Sequence, residues 1–223
     1  MRIWIEKWMF AHAILLLCST FYFLFTYQIE VIGISALLSF SLFYLTRYFK
    51  SRKTAFLFEA ANVVTSIRLL LLIALLFFPF PLFLIAMIAL IVLILDGLDG
   101  YLARKYKTAS AFGEYLDIET DALYVLTLSC LLYQNGLIGA WVISLGLLRY
   151  LYFITLQFFK PQEQREQRAF RARLIAVILM SSMIAGFLLP LSIAKPAIVI
   201  SAMLVFYSFG VSFWAVWKKA EAK

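Results

Sequence analysis

Long apolar stretches alternate with short polar separators along the whole chain. Eight such stretches occupy approximately residues 8–27, 31–46, 62–79, 82–103, 114–134, 137–157, 172–190 and 196–217. Most of them have about the 20 residues that a helix needs to cross a bilayer. Their hydrophobic residues run continuously instead of alternating with polar ones, which disfavours a transmembrane β-barrel. The pattern therefore predicts an all-α integral membrane protein, a polytopic helix bundle with short connections.

The composition supports a membrane protein and excludes an ordinary soluble domain. Of the 223 residues, 65% are hydrophobic and 14% are charged, and the mean hydropathy is +0.95. Soluble globular domains are about 45–50% apolar and about 25% charged. The two cysteines, Cys18 and Cys130, lie in separate apolar stretches with no CxxC pair. Neither a disulfide framework nor a zinc site is therefore expected.

The basic residues predict the orientation of the bundle. They concentrate in the connections after the second, fourth and sixth stretches and at the C-terminal end, whereas Lys195 falls in a connection on the other side. By the positive-inside rule, both termini and these connections face the cytoplasm, as in a protein of the plasma (inner) membrane. The mixed basic and aromatic segment Tyr48 to Ala61 suggests an amphipathic interfacial helix. Nucleic acid is not expected as a partner, because the basic residues belong to loop ends.

Four aspartates interrupt the apolar pattern where the fourth stretch ends and the fifth begins. An acid deep in an apolar helix costs about 2.5–3.5 kcal/mol on insertion scales, so something must offset these charges. Asp96 and Asp99 are three residues apart, and Asp117 and Asp121 are four apart. Each pair therefore shares one helix face. The small residues Gly100 and Ala103 fall on the first of these faces and would let a neighbouring helix or a ligand come close.

The two aspartate pairs are expected to meet. The fourth and fifth stretches are antiparallel neighbours joined by a short connection, which places all four acids at a similar depth. Oxygen ligands of this kind favour Mg²⁺, Mn²⁺ or Ca²⁺ over zinc, and two divalent ions would form a phosphoryl-transfer centre. The alternative is a solvated helix end with salt bridges to Arg104, Lys105 and Lys107, which would account for one or two of the aspartates.

The acidic segment carries a family resemblance. The pattern Asp96-x2-Asp99-Gly100-x2-Ala103-Arg104-x8-Gly113-x3-Asp117-x3-Asp121 resembles the signature of the CDP-alcohol phosphotransferase (CDP-alcohol phosphatidyltransferase) family, with every defining position filled. Upstream, Asn62-x2-Thr65-x2-Arg68 resembles the first core helix of that family. The resemblance implies a catalytic six-helix core over residues 55–223. Residues 1–54 would then form about two additional N-terminal membrane helices, on which the resemblance is silent.

The resemblance also implies an activity and roles for individual residues. The family transfers a substituted phosphate group from a CDP-linked lipid such as CDP-diacylglycerol to an alcohol, with release of CMP, and is usually homodimeric. The implied metal ligands for two Mg²⁺ or Mn²⁺ ions are Asp96, Asp99, Asp117 and Asp121. Asp121 is also implied as the general base. The implied nucleotide-binding residues are Asn62, Thr65, Arg68, Gly100, Ala103, Arg104 and Gly113.

The acceptor alcohol is left open by the sequence. Arg149 is an intramembrane charge and therefore a functional candidate. Together with Arg171 and Arg173, it is expected to line a pocket for a phosphorylated acceptor such as glycerol 3-phosphate or inositol phosphate. A neutral alcohol such as serine would not need these arginines. A membrane cation or proton transporter that uses the acidic cluster is the alternative function.

Two further acids lie close to the signature without belonging to it. At about 100° per residue, Glu119 lies about 160° around the helix from Asp121 and therefore points away from the aspartate face. Glu114 is expected to be a solvated residue near the helix end. His12, the single histidine, is expected to have no chemical role.

Overall fold

The eight apolar stretches form eight helices. The computed structural model describes residues 2–51, 59–106, 110–159 and 170–221, and these contain no β-strand. The helices are α1 (Arg2–Thr26), α2 (Glu30–Ser51), α3 (Ala60–Phe77), α4 (Leu82–Tyr106), α5 (Ala111–Gln134), α6 (Ile143–Phe159), α7 (Phe170–Leu188) and α8 (Leu191–Glu221). A short 3₁₀ turn, Ala140–Val142, precedes α6. The predicted all-α polytopic bundle is therefore confirmed.

Six of the described helices are long and apolar enough to cross a membrane, by length and composition. They are α1, α2, α3, α4, α6 and α8. The apolar part of α7, Ala172–Leu188, is shorter, and α5 carries four acidic residues in its first half. Because α5 packs against α1, α3, α6 and α7, three of these acids, Asp117, Glu119 and Asp121, contact arginines of other helices and need not face lipid. The chain is an integral polytopic membrane protein.

One predicted boundary comes out differently. The segment from Pro190 to Pro196 was expected to be a connection, and this was wrong, because α8 begins at Leu191 and contains Pro196. The carbonyl of Pro190 accepts hydrogen bonds from the amides of Ile193 and Ala194 at 2.9 and 3.1 Å, which starts the helix before the second proline. A proline inside a helix removes one backbone hydrogen bond. Of the proposed interfacial helix, residues 52–58 lie outside the described part of the chain.

Close helix contacts hold α5 in the middle of the bundle. A Cβ atom added at Gly146 of α6 would lie 2.5 Å from Cα of Leu126 on α5. Only a glycine therefore lets these two backbones approach so closely. The hairpin of α3 and α4 packs on another side of α5 through α3. This arrangement brings the C-terminal end of α4 and the N-terminal end of α5 together, where the four aspartates lie.

Candidate active site

The four aspartates converge on the guanidinium group of Arg68. Its Nη1 lies 2.5 Å from a carboxylate oxygen of Asp99 and 2.9 Å from one of Asp117. Its Nη2 lies 2.7 Å from Asp96 and 2.5 Å from Asp121. Each terminal nitrogen therefore joins one carboxylate of α4 to one of α5. The side chain of Arg68 is only 1% exposed, so the charges meet inside the protein.

Helix α3 supplies the groups that complete this cluster. Asn62, Thr65 and Arg68 recur every three residues and are all buried, as expected for one face of a helix. The hydroxyl of Thr65 donates a hydrogen bond of 2.9 Å to Asp99 Oδ2, the same oxygen that Arg68 contacts. Buried charges need a partner and hydrogen bonds, and α3 provides both to Asp99.

The alternative of salt bridges from the loop lysines and Arg104 receives no support from the described residues. The ammonium group of Lys105 lies over the rings of Tyr101 and Tyr106, at 5.6 and 5.7 Å from their centroids. Lys107 lies outside the described residues, as does the side chain of Arg104. Within the part of the chain that the structure describes, the cation between the aspartates is contributed by Arg68.

The carboxylates have an arrangement that fits a divalent metal ion. Asp96, Asp99 and Asp117 each offer one oxygen, and these atoms all lie within 4.8 Å of one another. Asp121 joins them through the Arg68 Nη2 atom that it shares with Asp96. Carboxylate oxygens without thiolates or imidazoles suit Mg²⁺, Mn²⁺ or Ca²⁺. The residues present therefore fit the predicted divalent cation.

A second group of predicted residues meets at the start of α3 and α5. A Cβ atom added at Gly113 would lie 2.6 Å from Oδ1 of Asn62, so these two residues are direct neighbours. The amide of Gly113 donates to the hydroxyl of Ser110, which caps α5. The side-chain amide of Asn62 donates a 3.0 Å hydrogen bond to Glu59. Glu59 was not singled out from the sequence, because it is the N-cap residue of α3 without a side-chain capping hydrogen bond and glutamate is not among the residue types that mark an N-cap.

The remaining nucleotide-binding candidates lie further along α4. Gly100 is partly buried, one residue after Asp99, and Ala103 and Arg104 follow in the last turns of the helix. The side chains of Ala103 and Arg104 are outside the described part of the structure. Their predicted roles therefore stay predictions.

The acceptor-binding candidates are not brought together with the aspartates in the described residues. Arg149 on α6 contacts Glu119, with Nη2 at 3.5 Å from Oε1, on the side of α5 opposite the aspartates. Arg173 is exposed near the start of α7, and the side chain of Arg171 is not described. The connection 160–169 is also outside the described residues. The acceptor pocket thus stays a prediction.

The two acids outside the signature occupy opposite environments. Glu114 is exposed at the start of α5, as expected for a solvated residue. Glu119 is 3% exposed and faces away from the aspartates, as the helix geometry predicted. The sequence did not predict that Glu119 would be buried beside Arg149 and His12, because these partners come from other helices.

Comparison with known proteins gives one match. The family model described as CDP-alcohol phosphatidyltransferase matches residues 58–216, which is more than half of the chain. The match includes the aspartates, Arg68 and all of α3 to α7, and it leaves α1 and α2 outside. The comparisons with curated proteins and with solved structures return no match.

Proposed function

Because the chain belongs to the CDP-alcohol phosphatidyltransferase family, we propose that it transfers a phosphatidyl group from CDP-diacylglycerol to an alcohol acceptor and releases CMP. Family membership makes the protein a membrane enzyme of phospholipid synthesis, a transferase of substituted phosphate groups. This favours the transferase over the cation transporter that the acidic cluster alone left open. The observation that carries the proposal is the convergence of four aspartates from two helices on one buried point.

The aspartates are the proposed metal ligands. Asp96, Asp99, Asp117 and Asp121 would hold two divalent ions, Mg²⁺ or Mn²⁺, which when bound would supply positive charge to the diphosphate of the donor. Arg68 contacts all four carboxylates, and its planar guanidinium group can equally pair with phosphate oxygens. Arg68 would therefore exchange aspartate partners for phosphate partners when the donor lipid binds.

Asp121 is the proposed general base. Its carboxylate would accept the proton of the acceptor hydroxyl as that oxygen forms a bond to the phosphorus of the phosphatidyl group. The bond between this phosphorus and the bridging oxygen then breaks, and CMP leaves with the electron pair. Asp121 Oδ1 lies 2.5 Å from Arg68 Nη2. A phosphate group bound to Arg68 would therefore lie close to the proposed base.

The cytidine nucleotide is proposed to lie along the ends of α3, α4 and α5. The proposed contacts are Asn62, Thr65, Arg68, Gly100, Ala103, Arg104 and Gly113. Gly113 and Asn62 are direct neighbours, because the side-chain oxygen of Asn62 occupies the space beside the glycine, and this supports a shared subsite. Thr65 and Arg68 lie next to it on the same face of α3.

The acceptor is proposed to be a phosphorylated alcohol, such as glycerol 3-phosphate or inositol phosphate, with a neutral alcohol such as serine as the alternative. Arg171 and Arg173 are the proposed phosphate contacts on α7, because arginine binds phosphate oxygens in a bidentate manner. Arg149 was predicted to join them, and in the structure it contacts Glu119.

The arrangement of the whole chain is also part of the proposal. Residues 55–223 would form the catalytic core, and residues 1–54 would add two membrane helices to it. The family match, which starts at residue 58, supports this division. We propose a homodimer in the plasma (inner) membrane, with the site and both termini on the cytoplasmic side, as the distribution of basic residues favours.

A test combines an acceptor panel with one substitution. The purified full-length protein is incubated with CDP-diacylglycerol, Mg²⁺ and each acceptor, and CMP and the lipid product are measured by mass. Asp121→Asn is expected to lower the rate by at least about 10²-fold, because a general base contributes about 10²–10⁴-fold. Glu114→Gln, a matched change at an exposed position of the same helix, is the control. Wild-type protein that releases no CMP with any acceptor would contradict the proposal.

A further inference from the structure

A second buried charge cluster lies behind the active-site face of α5. It consists of Glu119 on α5, Arg149 on α6, His12 on α1 and Ser39 on α2, and it is called the back-face cluster below. Arg149 Nη2 lies 3.5 Å from Glu119 Oε1, and His12 Nε2 lies 4.0 Å from Glu119 Oε2. The hydroxyl of Ser39 and His12 Nδ1 are hydrogen-bonded at 2.8 Å. Four helices thus contribute one polar group each.

These groups are buried to a degree that makes them costly. Glu119 is 3% exposed and His12 is 1% exposed. His12 Nε2 has no hydrogen-bond partner among the residues that the structure describes, and it lies 4.0 Å from the Glu119 carboxylate. A buried ion pair is often no more stabilising than apolar residues of similar volume. Stability alone is therefore a weak explanation for placing charges at this position.

The position of Glu119 on its helix suggests a better explanation. At about 100° per residue, Glu119 lies about 160° around α5 from both Asp117 and Asp121, which places it on the opposite side. The two aspartates are paired with Arg68 in front, and Glu119 is paired with Arg149 behind. Ion pairs thus act on α5 from two opposite directions.

Helix α5 needs such contacts because its apolar residues do not define its rotation. In its second half, every residue from Leu126 to Leu132 is buried, so no exposed face indicates which side should point inward. A helix that is hydrophobic all round can rotate without moving apolar residues into a polar medium. A rotation by the angle of one residue, however, would carry Asp117 and Asp121 away from α4 and separate Glu119 from Arg149.

The N-terminal helices take part in this arrangement although they lie outside the family match. His12 is held by the Ser39 hydroxyl and stacks on Trp8, with ring centroids 4.9 Å apart. The indole of Trp8 donates to the Ser39 carbonyl at 3.0 Å. The ring of Tyr150, next to Arg149 in the chain, packs edge-on against His12 at 5.9 Å. The imidazole is therefore fixed in front of Glu119.

We infer that Glu119, Arg149 and His12 are positioning residues that set the rotation of α5 and thereby the geometry of the Asp117 and Asp121 carboxylates. The first two helices of the chain then support the catalytic centre through His12. The inference rests on the proposed function, because it treats the aspartates as ligands of a divalent cation. It also gives Arg149 a role other than acceptor binding.

The test measures Mn²⁺ binding by the full-length protein without substrate, from the electron paramagnetic resonance signal of free Mn²⁺. Glu119→Gln and Arg149→Met are each expected to weaken Mn²⁺ binding about tenfold. This is the lower limit of the loss in metal affinity that is typical when residues that orient metal ligands are replaced. Arg149→Lys, which keeps the charge, is expected to bind Mn²⁺ more tightly than Arg149→Met. Glu114→Gln on the same helix is the control and is expected to bind Mn²⁺ as the wild type does.

A double variant separates positioning from simple stabilisation. Arg149→Met alone removes the arginine that faces the buried Glu119 carboxylate and is expected to lower the thermal stability. Glu119→Gln with Arg149→Met removes both charges and is expected to restore much of that stability. Mn²⁺ binding by the double variant is expected to remain weak, because the orienting pair is still missing. Wild-type Mn²⁺ affinity in the stable double variant would overturn the inference.

Two further outcomes concern His12 and the proposed function. His12→Phe keeps the aromatic packing but loses Nε2, and it is expected to weaken Mn²⁺ binding; an unchanged affinity would overturn the contribution of the N-terminal helices. Suppose that the wild type binds Mn²⁺ and releases CMP, and that all variants of the back-face cluster bind Mn²⁺ as well as the wild type does. This result would overturn the inference but not the proposed function. A wild type that neither binds Mn²⁺ nor releases CMP would overturn both.

Discussion

Arg68 shows how a single residue makes the acidic site tolerable inside a helix bundle. Its two terminal nitrogens contact four carboxylates, which its planar guanidinium group can do and a lysine ammonium cannot do with the same geometry. One positive charge against four negative ones still leaves an excess of negative charge. The residues around Arg68 therefore retain an attraction for cations, even with the arginine in place.

We expect Arg68→Met to make the stability of the protein depend strongly on divalent cations. Removing one partner of a buried charge cluster leaves the others uncompensated and costs about 3–5 kcal/mol. In EDTA, the purified Arg68→Met variant should therefore unfold at a much lower temperature than the wild type. Added Mg²⁺ should raise the unfolding temperature of the variant more than that of the wild type. Arg173→Met, at an exposed position, is the control. Equal stability of Arg68→Met and wild type in EDTA would contradict this account.

At the scale of elements, α5 determines where the carboxylates of Asp117 and Asp121 lie, because close packing and polar pairs hold this helix on several sides. In its N-terminal turn, Gly113 contacts the side chain of Asn62 on α3. In its middle, Leu126 contacts Gly146 of α6, where an added Cβ would meet the Leu126 backbone. Backbone atoms cannot move aside as a flexible side chain can. The separation of α5 and α6 is therefore set by a glycine, and the contact between Glu119 and Arg149 depends on it.

We expect Gly146→Ala to destabilise the protein although alanine is the better helix former. The added Cβ would lie 2.5 Å from Cα of Leu126, and overpacking of this kind costs about 1–3 kcal/mol. Gly210→Ala on α8 is the matched control, because an added Cβ there would meet no atom of the described residues within 4 Å. The measurement is the unfolding temperature of each variant, which is expected to be lower for Gly146→Ala than for Gly210→Ala. Equal unfolding temperatures would argue against tight packing of α5 on α6.

For the whole molecule, the arrangement of the eight helices places the site at one end of the bundle. The aspartates lie near the end of α4 and the start of α5, and the connection between these helices is basic. The tight segment after α5, with Asn135 and Gly136, lies at the other end of that helix. The site thus lies near the end where the positive charges collect, which is the cytoplasmic end in the proposed orientation.

Sidedness can be measured with single cysteines. In a background with Cys18→Ser and Cys130→Ala, Tyr106→Cys at the end of α4 is expected to react with a membrane-impermeant maleimide in inside-out vesicles. Asn135→Cys, after the end of α5, is expected to react in right-side-out vesicles. The two positions lie at opposite ends of the bundle, so each serves as the control for the other. The reverse labelling pattern would contradict the proposed orientation.

The sequence alone was sufficient for the fold class and for the grouping of the four aspartates. Backbone polar groups inside a bilayer must be satisfied within each segment, so long apolar stretches become helices regardless of their neighbours. The face shared by Asp96 and Asp99, and the opposite direction of Glu119 from Asp121, follow from helix geometry within a single element. Local rules of this kind do not depend on how the helices are arranged.

Only the tertiary structure decided which charges are partners. Buried acids in a membrane protein require counter-charges, but several arginines satisfy that requirement equally well in the sequence. The structure assigns Arg68 to the aspartates and Arg149 to Glu119, and it brings His12 to the same carboxylate from the first helix. These partners are 28 or more residues apart along the chain, and their contacts depend on the packing of several helices at once, for which a single sequence contains no local signal.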